Sequence, residues 1–215
     1  MQMKNVDTDL TRRRAEKLLK EGRAAALSNE YARAVEFLQV SARMYNRLDE
    51  IDQVIKIAYE LADVYASWAR LDEAVKTLNL VIKMQRAKKD INETVSLHHL
   101  ARIYHTFGKD DRALKALRRA ARLFREREDK EEEILTMQKI AEILCSGGRY
   151  SESIETYKRA LDLIEEHGLN HLECECLEGI ANTYKVWGRG NQAVEYFRRS
   201  LAARCVNNQN TGATV

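Results

Sequence analysis

The sequence predicts an all-α chain of five stacked helix-turn-helix repeats, and three observations carry that reading. Small residues form a column at Ala34, Ala74, Ala113, Ser153 and Ala193, spaced by 40, 39, 40 and 40 residues. A second small column lies twelve residues upstream, at Gly22, Ala62, Ala101, Ala141 and Ala181, and between the two runs a turn column of Asn29, Ala69, Gly108, Gly148 and Gly188. Self-similarity at a fixed period of about 20–50 residues is the signature of stacked repeats, in which each unit is buried by its neighbours. Finally, proline is absent and only nine glycines punctuate 215 residues, while apolar residues recur at helical spacing, as in Leu97, Leu100, Ala101 and Tyr104.

The predicted pairs are 9–27 with 31–46, 49–68 with 71–88, 91–107 with 110–127, 130–146 with 150–166, and 170–187 with 190–205. Four starts place a capping residue three before an acid: Asp49 with Asp52, Asp90 with Glu93, Asp129 with Glu132 and Asn170 with Glu173. Such a pair resembles a capping box, satisfying an orphan N–H and complementing the positive helix end. Within each unit the turn column stops the first helix (A), since glycine and asparagine tolerate the left-handed conformation that a reversal into the second helix (B) requires. The small columns let antiparallel helices approach to about 8–10 Å. Larger residues fill the remaining space: Tyr65, Tyr104, Leu144 and Tyr184 on A helices, Leu38, Leu78, Leu117, Tyr157 and Phe197 on B helices. A further column on the B helices, Ser41, Val81, Ala120, Ala160 and Ser200, lets the next unit dock. The repeats run at about 9–48, 49–89, 90–128, 129–168 and 169–206. They form one solenoid between a flexible N-terminus at 1–8 and a disordered tail at 207–215.

A chain that is 45% hydrophobic and 32% charged has the apolar content to fold, and a net charge of +3 is too small to imply nucleic acid. No signal peptide and no apolar run of about 20 residues is present, so membrane insertion is not expected and a cytoplasmic location is. Cys145, Cys174, Cys176 and Cys205 have no disulfide spacing. Cys174 and Cys176, two apart, point to different faces of a helix, so no zinc site is expected.

Leu100-Ala101, Tyr104, Gly108 and Ala113, and likewise Ile180-Ala181, Tyr184, Gly188, Ala193 and Phe197, resemble the tetratricopeptide repeat (TPR) family. The stretch from Gly148 to Ser153, with Tyr157 and Ala160, fits the same pattern. The period is longer than the family's usual 34 and the proline that commonly closes helix B is missing. The longer period resembles the extended repeats of kinesin light chains and spindle-orientation adaptors. The resemblance implies a right-handed superhelical solenoid whose A helices line a concave groove for a partner's protein or peptide segment.

On that resemblance the groove rows are Lys56, Tyr59, Asp63 and Ala66; Val95, His98, Arg102 and His105; Leu135, Gln138, Glu142 and Cys145; and Glu175, Glu178, Asn182 and Lys185. The central row is basic and the C-terminal rows are acidic, which would orient a charged segment. The carboxylate clamp of chaperone-binding members is not expected, because the corresponding row reads Leu19, Arg23 and Ala26. His98 and His105 lie about 10.5 Å apart along a helix, too far for one metal ion, and no metal is expected. A second surface, Arg112, Lys115, Arg118, Arg119, Arg122 and Arg125 on a B helix, is either a solvated face or a convex dock for an acidic protein segment. No aromatic residue interleaves these cations, so nucleic acid is not expected.

No phosphate-cradling glycine loop, nucleophile elbow or HExxH motif is present, so neither an enzyme nor a cofactor is expected. Val194, Phe197 and Leu201, with Val186 and Trp187, end the stack without a polar cap, which leaves self-association or a partner chain as ways to cover them. The leading expectation is a non-enzymatic scaffold or adaptor. The alternatives are a regulatory sensor for a short signalling peptide and an accessory TPR domain of a larger enzyme or motor complex.

Overall fold

The computed structural model describes residues 2–88 and 90–211, and side-chain surroundings for residues 8–88 and 90–205. Among the described residues there are ten α-helices and no strand. They are α1 (Gln2–Leu27), α2 (Tyr31–Arg47), α3 (Ile51–Ser67), α4 (Leu71–Ala87), α5 (Glu93–Thr106), α6 (Asp110–Glu126), α7 (Lys130–Ser146), α8 (Tyr150–His167), α9 (Glu173–Val186) and α10 (Gly190–Thr211). These are the five predicted pairs, with two longer ends: α1 begins at Gln2 and α10 runs to Thr211. The expected N-terminal and C-terminal tails fall largely on the side chains of 1–7 and 206–215, which lie outside the described residues.

The chain divides into two compact units, Met1–Phe107 and Gly108–Val215. In the first unit each of α1 to α5 packs on the next, and the A helices α3 and α5 also touch. In the second unit the same holds for α6 to α10, with α7 touching α9. The first core gathers Leu38, Tyr45, Ile57 and Leu61; the second gathers Ile134, Ile154, Tyr157, Ile164 and Ile180. Burying one such aliphatic side chain is worth about 1.5–3 kcal/mol.

Every member of the two small columns is buried. Gly22 and Gly179 mark the tightest approaches. A Cβ on Gly22 would stand 2.9 Å from Leu38 Cγ, and one on Gly179 would stand 2.3 Å from Tyr157 Cζ, inside the ring's own volume. Two of the serines in small columns bond a neighbouring backbone: Ser41 Oγ donates to the carbonyl of Ala15 and Ser153 Oγ to that of Ala141, each at 2.8 Å. A buried hydroxyl is thereby satisfied without widening the contact.

All five members of the turn column adopt positive φ, from +60° at Asn29 and Ala69 to +77° at Gly188. The links between repeats repeat the device at Asp49, Glu128 and Gly168, with φ between +60° and +67°. This corrects three of the four expected capping boxes. Asp49 is the left-handed residue that closes α2, and Glu50 stands at the start of α3. Asp90 accepts from the backbone N–H of Asn92 at 2.9 Å, making a turn ahead of α5. Asn170 opens a short 3-10 turn, Asn170–Leu172. Only Asp129 caps as predicted, its carboxylate accepting from the N–H of Glu132 at 3.3 Å.

Two buried carboxylates recur where a B helix hands over to the next A helix. Glu133, 1% exposed, accepts from Arg125 at 2.7 Å and pairs with Lys130 at 3.3 Å. Glu93 faces Arg86 at 3.5 Å in the corresponding place. Each glutamate lies in the first turn of its helix, where the backbone N–H groups favour negative charge.

Candidate functional site

The predicted groove residues behave differently in the two units. In the first unit the A-helix side chains are largely engaged with one another. Arg102 on α5 forms an ion pair with Asp63 on α3, and Arg23 on α1 grips Glu60 with two hydrogen bonds of 2.6 and 2.9 Å. The glutamate raises the Arg23 guanidinium above its ordinary pKa, and this geometry holds Arg23 within the A-helix surface. Tyr59 stacks on His99 with ring centroids 4.5 Å apart and planes 3° from parallel. Its hydroxyl shares a 2.8 Å hydrogen bond with Ser96, whose Oγ donates to Gln85 Oε1 at 2.6 Å. The helical row His98, Arg102 and His105 turns His99 away, yet His99 meets α3 through Tyr59. Burial lowers its pKa, outweighing the opposing field of Asp63, so the ring favours its neutral form. His98 and His105 also interact within the chain, and Lys56 is exposed.

The second unit leaves its A-helix surface open. Gln138, Glu142, Cys145, Glu175, Glu178 and Asn182 line one groove of about 590 Å³ between α7 and α9, six of the predicted row residues brought together. Glu142 and Glu175 make no ion pair among the described residues. Glu178 is held from behind by α10, accepting from Ser200 at 3.0 Å and pairing with Arg204. Gln138 spends its amide N–H on Cys176 Sγ at 3.1 Å. Burial pushes that thiol up to about 11 against the effect of the Gln138 bond, which keeps it protonated and unreactive. Tyr157 forms the groove wall over Gly179, its phenol raised above its ordinary pKa by burial. Lys185, at the end of α9, is exposed and outside the groove lining.

Of the predicted basic surface, Arg118, Arg122 and Arg125 line a separate groove on the B-helix side of this unit, joined by Arg159 of α8. Arg112 and Arg119 interact within the chain, and Lys115 stands exposed outside that groove. At the C-terminal end Val186, Val194 and Leu201 are exposed. Trp187, expected among the uncovered residues, is engaged instead: it stacks on Tyr150 and Tyr184, and the Arg189 guanidinium sits 3.6 Å from its ring centroid.

The same arrangement occurs in the first unit, where Tyr31 stacks on Trp68 and Arg70 lies 4.0 Å from the indole centroid. Each such cation–π contact is worth about 0.5–2 kcal/mol. Sequence reasoning missed this clasp, although Trp68-Ala69-Arg70 and Trp187-Gly188-Arg189 repeat the same tripeptide pattern across the turn column. No group of three or more His, Cys, Asp or Glu side chains with metal-binding geometry occurs among the described residues. No described helix is long and apolar enough to cross a membrane.

Three tetratricopeptide repeat family models match the chain, over residues 55–88, 96–131 and 133–205, which together exceed half its length. A search among curated proteins finds no significant match. Among solved structures, the chain is similar to a putative kinesin light chain of nearly identical TPR-like repeats from Podosopora anserina, at 19% identity and a TM-score of 0.67. That match covers 90% of this chain and 96% of the other. It is also similar to aspartyl phosphate phosphatase F from Bacillus subtilis, at 14% identity and TM-score 0.70, covering 98% of this chain and 55% of that one. A third is BtubC (BKLC) from P. vanneervenii, at 17% identity and TM-score 0.57, covering 94% and 92%. A helix pair of about forty residues that reverses on a left-handed residue and docks through buried alanines is the tetratricopeptide unit at a lengthened period, and the chain belongs to the tetratricopeptide repeat family.

Proposed function

We propose that this protein is a non-catalytic interaction module, a scaffold that takes a basic, extended segment of a protein partner along α7 and α9. The observation that carries this reading is the open groove of the second unit, where Glu142 and Glu175 lack ionic partners while the exposed amide side chain of Asn182 flanks them. Unpaired carboxylates attract lysine or arginine side chains, and amides can hydrogen-bond both groups of an extended backbone. The A-helix row of the first unit supports the assignment by contrast, since Arg102 and Asp63 already bind each other and Tyr59 is stacked on His99. A cytoplasmic setting fits the four free thiols.

The test is a fluorescence-anisotropy titration with a short labelled peptide of lysines alternating with small residues, against its glutamate counterpart. The lysine peptide binds at least tenfold tighter, and Glu142→Lys with Glu175→Lys abolishes that preference. Unchanged binding by a correctly folded double variant overturns the assignment.

A further inference from the structure

The B-helix side of the second unit carries a second groove, of about 370 Å³, between α6 and α8 and floored by α7. Its floor is apolar, formed by Met137, Ile140 and Leu144, which recur at spacings of three and four and so share one face of α7. Arg118 and Arg122 stand on the α6 rim and Arg159 on the α8 rim. All three are exposed, and none makes a hydrogen bond or ion pair among the described residues. Arg125, beside them, is committed to buried Glu133 at 2.7 Å and serves the fold. On the α8 rim Glu152 is likewise occupied, taking two hydrogen bonds of 2.7 and 2.6 Å from Arg149. That pairing lowers the Glu152 carboxyl below its ordinary pKa, with a smaller push from Arg118.

We infer that this groove is a docking site for an acidic protein segment carrying large apolar side chains between its carboxylates. Charge complementarity selects the acid, because three guanidinium groups surround the groove without a hydrogen-bonded or ion-paired partner and each offers a planar fork suited to a carboxylate. The apolar floor selects the hydrophobic component, and the arginine stems extend it. Nucleic acid fits poorly, because no aromatic ring lines the groove to stack a base. The site lies on a different face from the α7–α9 groove and does not depend on that reading.

The probe is a short capped synthetic peptide with two leucines four residues apart among glutamates, titrated by fluorescence anisotropy at low and physiological salt. Three comparison ligands accompany it: the same peptide with lysines for glutamates, one with serines for leucines, and a single-stranded oligodeoxynucleotide of equal charge. The leucine–glutamate peptide binds at least tenfold tighter than each of them. Arg118→Glu with Arg122→Glu removes that binding, while Lys115→Glu, on the same helix outside the groove, changes it less than twofold. If the double reversal fails to fold by circular dichroism, Arg118→Gln with Arg122→Gln serves instead and weakens binding by fivefold or more. Equal binding of the serine peptide or the oligonucleotide overturns the proposal, as does unchanged affinity in a folded arginine variant. Glu142→Lys with Glu175→Lys leaves this binding intact, which separates failure here from failure at the α7–α9 groove.

Discussion

The two units are made from the same repeat yet use their A-helix rows in opposite ways. In the first, the row from α1 through α3 to α5 is stapled by Arg23 to Glu60 and Asp63 to Arg102, with Tyr59 stacked on His99. In the second, α7 and α9 meet through Gln138 and Cys176 lower in the row, and Glu142, Glu175 and Asn182 are left facing a groove. Where charges of opposite sign sit one repeat apart, the surface satisfies itself. Where they share a sign, it stays open to a ligand. A repeat therefore carries no fixed function. The pairing of residues across one period decides whether a face is structural or available.

The units also differ in how tightly glycine is used, and the largest expected effect lies there. Gly179→Ala puts a methyl into the Tyr157 ring and destabilises the second unit by about 3 kcal/mol, the upper end for overpacking. Gly22→Ala meets Leu38 at 2.9 Å, but the added helix propensity of about 1 kcal/mol offsets most of that strain. Urea unfolding of both variants separates these outcomes, and equal losses would remove the distinction.

A smaller effect of opposite sign is expected at the turns. Ala69 holds φ +60° with a side chain, whereas Gly148 holds +75° without one. Ala69→Gly stabilises the first unit and Gly148→Ala destabilises the second, each by about 1 kcal/mol, because only glycine adopts that region freely. Thermal melts of the pair test the sign.

The smallest effect concerns acid. The His99 pKa is lowered in the folded state, so the unfolded chain takes up its proton first as pH falls. Stability from this site is complete above the ordinary value near 6.5 and declines as pH drops below it. In His99→Phe, which keeps the stack on Tyr59, that decline is absent from unfolding midpoints measured between pH 7.5 and 5.5. The second unit offers no counterpart to His99 stacked on tyrosine among the described residues.

Much of this was legible beforehand in particular residues. Ala34, Ala74, Ala113, Ser153 and Ala193 had to be buried at a helix crossing, and they are. The turn column was legible because glycine and asparagine favour the left-handed region, and the period carried Ala69 along with them. The capping boxes were less so. Asp49 and Asp129 look alike in sequence, but the left-handed residue closing the preceding helix is Asp49 itself in one link and Glu128 in the other. That one-residue shift moves Asp49 out of the cap position. In the groove, Gln138, Glu142, Glu175 and Asn182 followed from the family resemblance read through the helical register, while the Tyr59–His99 stack did not, because it depends on how the side chains of α5 meet α3.

The sequence by itself determined the helices, their reversals and the forty-residue register, since these rest on local propensity and on side-chain volume repeated at fixed spacing. Only the tertiary structure decided which charges are spent and which remain. Ion pairs such as Arg102 with Asp63, and Arg204 with Glu178, join residues 39 and 26 positions apart. Their formation depends on side-chain reach across a packed interface, a distance that no local pattern encodes.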